Sequence, residues 1–215
     1  MPVIDLAFVL VGRTVPLDHG YALFGALSRV VPALHGNRSI GVHPIRGRQT
    51  APGVLSLTES SRLRLRLPSE EVATYLAIAG AELELDGHRL RVGIPRSEPL
   101  VPASRLASRL VTFRNAKEPA RFEADVRREL ETLGIAGEPS LVASPSSHPR
   151  SVGQPIRRVL RIKDKRVVGF ALRVGGLTAE ESLKLQEAGL GGRRRMGAGV
   201  FVPIERATTG GLGAS

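Results

Sequence analysis

Residues 2–12 form an almost unbroken apolar run in which Asp5 alone is charged. A run of this length, rich in β-branched side chains and closed by glycine, predicts a buried strand. Pro16, Asp18 and Gly20 then supply turn and helix-start signals. Tyr21, Phe24, Leu27, Val30, Val31 and Leu34 recur every three or four residues, which predicts one amphipathic helix over 19–34, loosened at Pro32 and stopped by Gly36. Residues 39–45 read as a second strand and 47–53 as a loop. Over 62–67, Arg and Leu alternate strictly, so three leucines share one face of a strand and three arginines the other. Ser69, Glu70 and Glu71 after Pro68 predict a short helix through Ile78, with the serine as cap and the acids in the first turn. Strand residues return over 82–94, turning at Asp86 and Gly87. The order is β-α-β-β-α-β, a ferredoxin-like unit with both helices on one face of an antiparallel sheet.

After a proline-rich stretch at 95–102 the pattern starts again. A strand is expected over 106–114, an amphipathic helix over 118–133, and a mobile connection over 134–150 around a short strand at 140–143, with no regular structure over 144–153. Strands over 156–163 and 166–174 form a hairpin through Asp164 and Lys165. Thr178 caps a helix over 178–188 with Glu180 and Glu181 in its first turn, and 200–204 is the closing strand. The fold class expected is therefore α+β: tandem ferredoxin-like, RNA-recognition-motif-like domains over 1–97 and 104–205, the second carrying a glycine-rich loop, then a flexible tail over 206–215.

Composition narrows the chemistry. The absence of cysteine excludes disulfides, a catalytic thiol and every thiolate metal site. Lys and Arg number 31 against 20 Asp and Glu, a net charge of +11, and residues 150–215 hold 13 against 5, so +8 of the excess is local. A polyanionic partner is expected. With six Phe, two Tyr and no Trp, binding should rest on phosphates and shape more than on stacked bases. No apolar stretch approaches the ~20 residues needed to cross a bilayer, and the first residues make a poor signal peptide. A soluble, cytoplasmic protein with no membrane partner is expected.

Two basic elements stand out. In the first, Gly189, Gly191, Gly192, Gly197 and Gly199 surround Arg193, Arg194 and Arg195. Glycine lets a backbone approach a phosphate and present N–H groups, while arginine adds bidentate contacts. The alternative is a glycine helix cap followed by a solvated arginine run. The loop follows a helix and precedes a strand, the reverse of a dinucleotide-binding fingerprint, and lacks the lysine of a P-loop. The second element is the hairpin, with Arg157, Arg158, Arg161, Lys163, Lys165 and Arg166, suited to an RNA stem or, alternatively, a charged sheet edge. Arg62, Arg64 and Arg66 fit either an extension of that surface or a solvated strand face.

The glycine loop, the segment Pro16–Leu17–Asp18–His19–Gly20–Tyr21 opening the first helix, and Leu34–His35 at its end resemble the CRISPR-associated repeat-processing endoribonucleases of the RAMP superfamily, within them the MYXAN subtype. The resemblance implies metal-independent cleavage of CRISPR repeat RNA by the adjacent ribose 2′-hydroxyl, leaving a 2′,3′-cyclic phosphate and a 5′-hydroxyl. It implies no cofactor and no metal, a stem-loop repeat as partner, and membership of a CRISPR effector complex. His35 matches the family's catalytic histidine; its alternative is a histidine favoured at a helix C-terminus. Ser28, seven residues earlier and so two turns up the same helix, stands where relatives carry tyrosine or histidine. His43 is the alternative second group, with a satisfied sheet histidine as its plain reading. His19 reads as a helix-start residue, His88 as a solvent-facing hairpin residue, and His148 falls in the irregular segment. Arg38 is a candidate to meet charge developing on the phosphate. The rival functions are a non-catalytic RNA-binding subunit of the same superfamily and a tandem RNA-recognition-motif protein.

Overall fold

The computed structural model describes residues 2–114, 116–144 and 153–204. His148, most of the 144–153 segment and the tail expected over 206–215 lie outside the described residues. The first apolar run becomes β1 (Val3–Val11), followed by β2 (Thr14–Pro16), α1 (Gly20–Val30), β3 (Gly41–Val42), β4 (Arg48–Ala51), β5 (Val54–Ser56), β6 (Arg62–Pro68), α2 (Val72–Tyr75), β7 (Glu82–Leu85) and β8 (His88–Pro99). β1 is central because it pairs on both sides, in an antiparallel sheet of order β3-β6-β1-β8-β7. Leu6 and Phe8 pack with Leu63, Leu65 and Leu67 in a core under α1 that also holds Leu23, Phe24 and Leu27. The register Asp5↔Arg66 and Ala7↔Arg64 sends the arginines to the opposite face.

Several local expectations change here. Pro32 disfavours helical backbone at the residue before it, so α1 stops at Val30, Val31 turns to φ −127°, and a separate 3₁₀ turn spans Pro32–His35. The strand expected over 39–45 is only β3. The expected loop over 47–53 contains β4, which forms a hairpin with β5 around Gly53 at φ +75° and joins β2 in a small three-stranded sheet. The helix expected through Ile78 is one α turn between two 3₁₀ turns, and Ser69 makes no capping bond.

The second half comprises β9 (Leu106–Val111), α3 (Pro119–Thr132), β10 (Glu138–Leu141), β11 (Arg157–Ile162), β12 (Lys165–Gly175), α4 (Ala179–Ala188) and β13 (Val202–Pro203). The order β10-β12-β9-β13 repeats the ferredoxin-like arrangement of the first sheet. β10 and β11 lie end to end along one edge of β12, pairing with Leu172–Gly175 and with Lys165–Phe170. The excursion between them is closed by Ile156 N–H to Val142 O at 2.8 Å. The hairpin turn is Lys163–Asp164, one residue earlier than expected, with Lys163 at φ 52°. Thr178 caps α4 in a reciprocal box with Glu181. Phe122 anchors the second core, its ring 5.2 Å from that of Phe113 and 5.0 Å from that of Phe170.

The sheet faces turned away from α1 and from the second core border a cleft of about 960 Å³. Arg62, Arg64 and Glu98 line it from one domain, and Ala107, Arg109, Ala171 and Arg173 from the other. No helix among the described residues is long and apolar enough to cross a membrane.

Candidate functional site

The glycine-rich loop joins the two domains, and close approach requires glycine at Gly189, Gly191 and Gly199. Gly189 ends α4 at φ +66°, and a Cβ there would lie 2.3 Å from Gly199 O; one on Gly199, at φ +68°, would lie 2.1 Å from Leu190 O. The N–H groups expected to face phosphate are instead bonded within the protein. The N–H groups of Gly189, Gly191, Gly192, Gly197 and Gly199 donate to Leu185 O, the Glu129 carboxylate, Thr112 O, Arg194 O and Leu110 O. The loop is a packed element that aims its arginines.

Those arginines diverge. Arg193 is exposed, at φ +67°. Arg194 turns inward, donating to Glu187 O at 2.7 Å. Burial, with repulsion from Arg66 and against the pull of Asp5, pushes its guanidinium down to about 10. Arg195 reaches the first domain, where Nη1 donates to Leu34 O at 3.0 Å and to His35 O. Its Cζ lies 5.4 Å from the centroid of the Phe24 ring, and that ring stacks on His35 at 5.7 Å and 29°. His35 is exposed, at the end of the 3₁₀ turn. Downstream, Asn37 Nδ2 donates to Glu71 Oε2 at 2.5 Å and Ser39 Oγ to Asn37 Oδ1 at 2.6 Å, which ties down the segment carrying exposed Arg38.

His43 does not join this group, and Ser28 stands on α1 one turn beyond Phe24. Because the backbone breaks at Val31, Ser28 and His35 no longer share a helix, and Ser28 Oγ is buried without a hydrogen-bond partner among the described residues. His43 is buried on the arginine face of the first sheet, where Nε2 donates to Asp5 Oδ1 at 3.1 Å. Arg66 clasps the same carboxylate with Nε and Nη2, each at 2.8 Å, and sends Nη1 to Gln186 O and Phe201 O of the second domain. Burial alone would raise the Asp5 carboxyl, but His43 and Arg66 together hold it well below the usual carboxylate range. Burial also pushes the His43 imidazole down, against the pull of Asp5. His19 is a second buried histidine: Nε2 accepts Ile45 N–H at 2.9 Å, so Nδ1 is the donor to Pro16 O at 2.8 Å. Burial lowers it to about 4 despite that bond, leaving it neutral.

The basic hairpin packs at the other end of α1. Arg161 N–H donates to Asp18 Oδ2 at 3.0 Å, and Gly20 lies against Met196 and Leu160, where a Cβ would be 2.3 Å from Met196 O. Arg157, Arg161, Lys163, Lys165 and Arg166 are exposed, whereas Arg158 turns inward on the face of Leu160. Arg161 and Arg166 are directly cross-strand, an unfavourable like-charge pair in the free protein that a polyanion relieves. α1 thus carries the hairpin at its start, the glycine loop alongside and His35 beyond its end. Sequence reasoning missed the Phe24–Arg195 support of His35 and the Asp5–Arg66 junction. The lone acid in the first apolar run was the available signal for the second; nothing in the spacing signalled the first.

The chain matches a family model described as Cas6 Crispr over residues 4–206. It is 45% identical over 207 residues to the CRISPR-associated endonuclease Cas6 of Myxococcus xanthus strain DK1622, covering 96% of this chain and 84% of that protein. Among solved structures it is similar to a Cas6-related protein from Pyrococcus furiosus, with TM-score 0.65, 15% identity and coverage of 94% and 99% of the two chains. It is also similar to a RAMP protein described as binding different RNA substrates, with TM-score 0.62, 15% identity and coverage of 95% and 100%. At these identities the likeness to solved structures is one of fold.

Proposed function

This chain belongs to the Cas6 family of CRISPR-associated endonucleases, and from that premise we propose that it cuts CRISPR precursor RNA within the repeat without a metal ion, in the cytoplasm. The 2′-hydroxyl next to the scissile phosphate attacks phosphorus, the bond to the 5′-oxygen breaks, and a 2′,3′-cyclic phosphate and a 5′-hydroxyl remain. One proton leaves the 2′-oxygen and one reaches the departing 5′-oxygen. Histidine suits such transfers because its unperturbed pKa of ~6.5 lies near working pH. His35 is our choice for this role, and the observation that supports it is its setting: exposed, stacked on Phe24, and held through its own carbonyl by Arg195 from the other domain. Ser28, whose Oγ is buried, and Asp5-bound His43 are better suited to structural roles. Arg38 is the nearest exposed cation in sequence to meet negative charge on the phosphate. Arg193 and the exposed hairpin residues Arg157, Arg161, Lys163, Lys165 and Arg166 would follow the backbone of a repeat stem-loop. The product-bound enzyme would then enter a CRISPR effector complex.

The test is incubation of the protein with end-labelled repeat RNA in EDTA, with analysis of the product ends. A discrete cut with a cyclic phosphate, lost in His35→Ala while RNA binding persists, is the expected result. Unchanged cleavage in that variant removes His35 from the chemistry, and tight binding with no cut by the wild-type chain makes it a non-catalytic RNA-binding subunit.

A further inference from the structure

Two cations stand apart from the exposed basic surface. Arg109, on β9, and Arg158, on the inward face of β11, both line the interdomain cleft and also a smaller pocket of about 230 Å³ beside it. Among the described residues neither guanidinium has a hydrogen-bond or ion-pair partner, and Arg158 Nε is fully buried without one. Burial pushes both below the ordinary arginine value; Arg158 presses Arg109 further down, and Asp18 pulls it back. Charges withdrawn from solvent are normally paired; two half-buried like charges facing one space without a partner destabilise the free protein and are relieved by an anion.

The amino end of α1 opens on the same pocket, which Asp18, His19 and Gly20 line. His19 at the cap position gives no side-chain bond to the first-turn N–H groups, and that turn holds no acidic residue. The positive end of an eleven-residue helix therefore adds to the two arginines. The other charged or titratable groups facing the pocket are Asp18, whose carboxylate accepts Arg161 N–H, exposed Arg157, and the neutral His19 and Asp5-bound His43. Positive charge prevails. The volume takes a phosphate group with part of its sugar and excludes a duplex.

We infer that Arg109 and Arg158, with the amino end of α1, form a single-phosphate pocket separate from His35 that binds one backbone phosphate of the RNA. The RNA as source rests on the function proposed above; a free phosphate ion has the same chemistry, and the test separates them.

Thermal unfolding of the intact protein is followed with and without inorganic phosphate at constant ionic strength, for wild type, Arg109→Gln, Arg158→Gln and Arg158→Lys. Removing one of two repelling charges should raise the melting temperature of each Gln variant above wild type in the absence of phosphate. Phosphate should stabilise wild type and Arg158→Lys and leave the Gln variants unmoved. Affinity for a repeat RNA carrying a 2′-deoxy group at the scissile nucleotide should fall roughly tenfold in the Gln variants, with the salt slope reduced by about one. Gln variants that melt lower than wild type yet respond equally to phosphate overturn the pocket. Protection by phosphate with RNA affinity unchanged overturns the RNA as its ligand. The phosphate arm involves no cleavage, so an inactive wild type with an intact phosphate response refutes the proposed reaction and leaves the pocket standing.

Discussion

Arg66→Met tests the junction on which the relative placement of the domains rests. Arg66 is 1% exposed and makes two bonds to Asp5 at 2.8 Å, one to Gln186 O at 3.0 Å and one to Phe201 O at 2.6 Å. Methionine keeps much of the aliphatic stem and removes all four bonds. It leaves the Asp5 carboxylate buried with His43 as its remaining side-chain partner and strips a donor from two carbonyls of the second domain. Removing one partner of a buried ion pair costs roughly 3–5 kcal/mol. At ~2–4 °C per kcal/mol for a chain of this size, the melting temperature should fall by about 6–20 °C. The pH dependence carries a definite sign. In wild type the depressed Asp5 carboxyl contributes stability that is complete above its unfolded value of ~3.9 and is lost as pH falls below it. In Arg66→Met the carboxyl keeps His43 but loses the second partner that holds it down while burial still pushes it up, so it takes a proton at higher pH than in wild type and the deficit against wild type shrinks as pH is lowered from about 7 through about 4. Urea unfolding across that range measures it, and Asp5→Asn combined with Arg66→Met should recover part of the loss. A deficit under about 1 kcal/mol at pH 7, or one that widens on acidification, refutes this account of the junction.

Lowered to about 4 in the fold, His19 should contribute to a loss of stability as pH falls from ~6.5 toward 4, up to about 3 kcal/mol, and His19→Gln should flatten that part of the profile without abolishing the share due to His43. Arg195→Met should slow cleavage by about 10–100-fold through misplacement of His35, with RNA affinity changed far less; an equal loss in both makes Arg195 an RNA contact instead. Gly199→Ala forces a Cβ to 2.1 Å from Leu190 O at φ +68° and should destabilise by about 1–3 kcal/mol or more, read from melting temperature.

The main elements were readable where each signal was local: the Arg–Leu alternation at 62–67, the apolar run of β1 and the Thr178 cap of α4 all depend on residues within a few positions of one another. The same alternation misled about Arg66. Period two says which side chains share a face, and it carries no information about what covers that face; the second domain covers this one, 120 and 135 residues further on. The three loop arginines look equivalent in sequence and have three fates, because one turn of 3₁₀ backbone points neighbours in different directions. His35 is assigned by resemblance. Its supports were not legible, since the contact from Arg195 spans 160 residues.

That separation has a consequence for the order in which the protein is made. The segment carrying His35 leaves the ribosome early, with most of the core that surrounds α1 complete by Val92. Yet the guanidinium that holds the His35 turn, and the carbonyl of Phe201 that Arg66 needs, belong to residues translated more than a hundred positions later. An N-terminal domain still attached to the ribosome can fold around its own leucines while its histidine lacks its support, so competence at the proposed site arrives only when the loop has been synthesised and has docked.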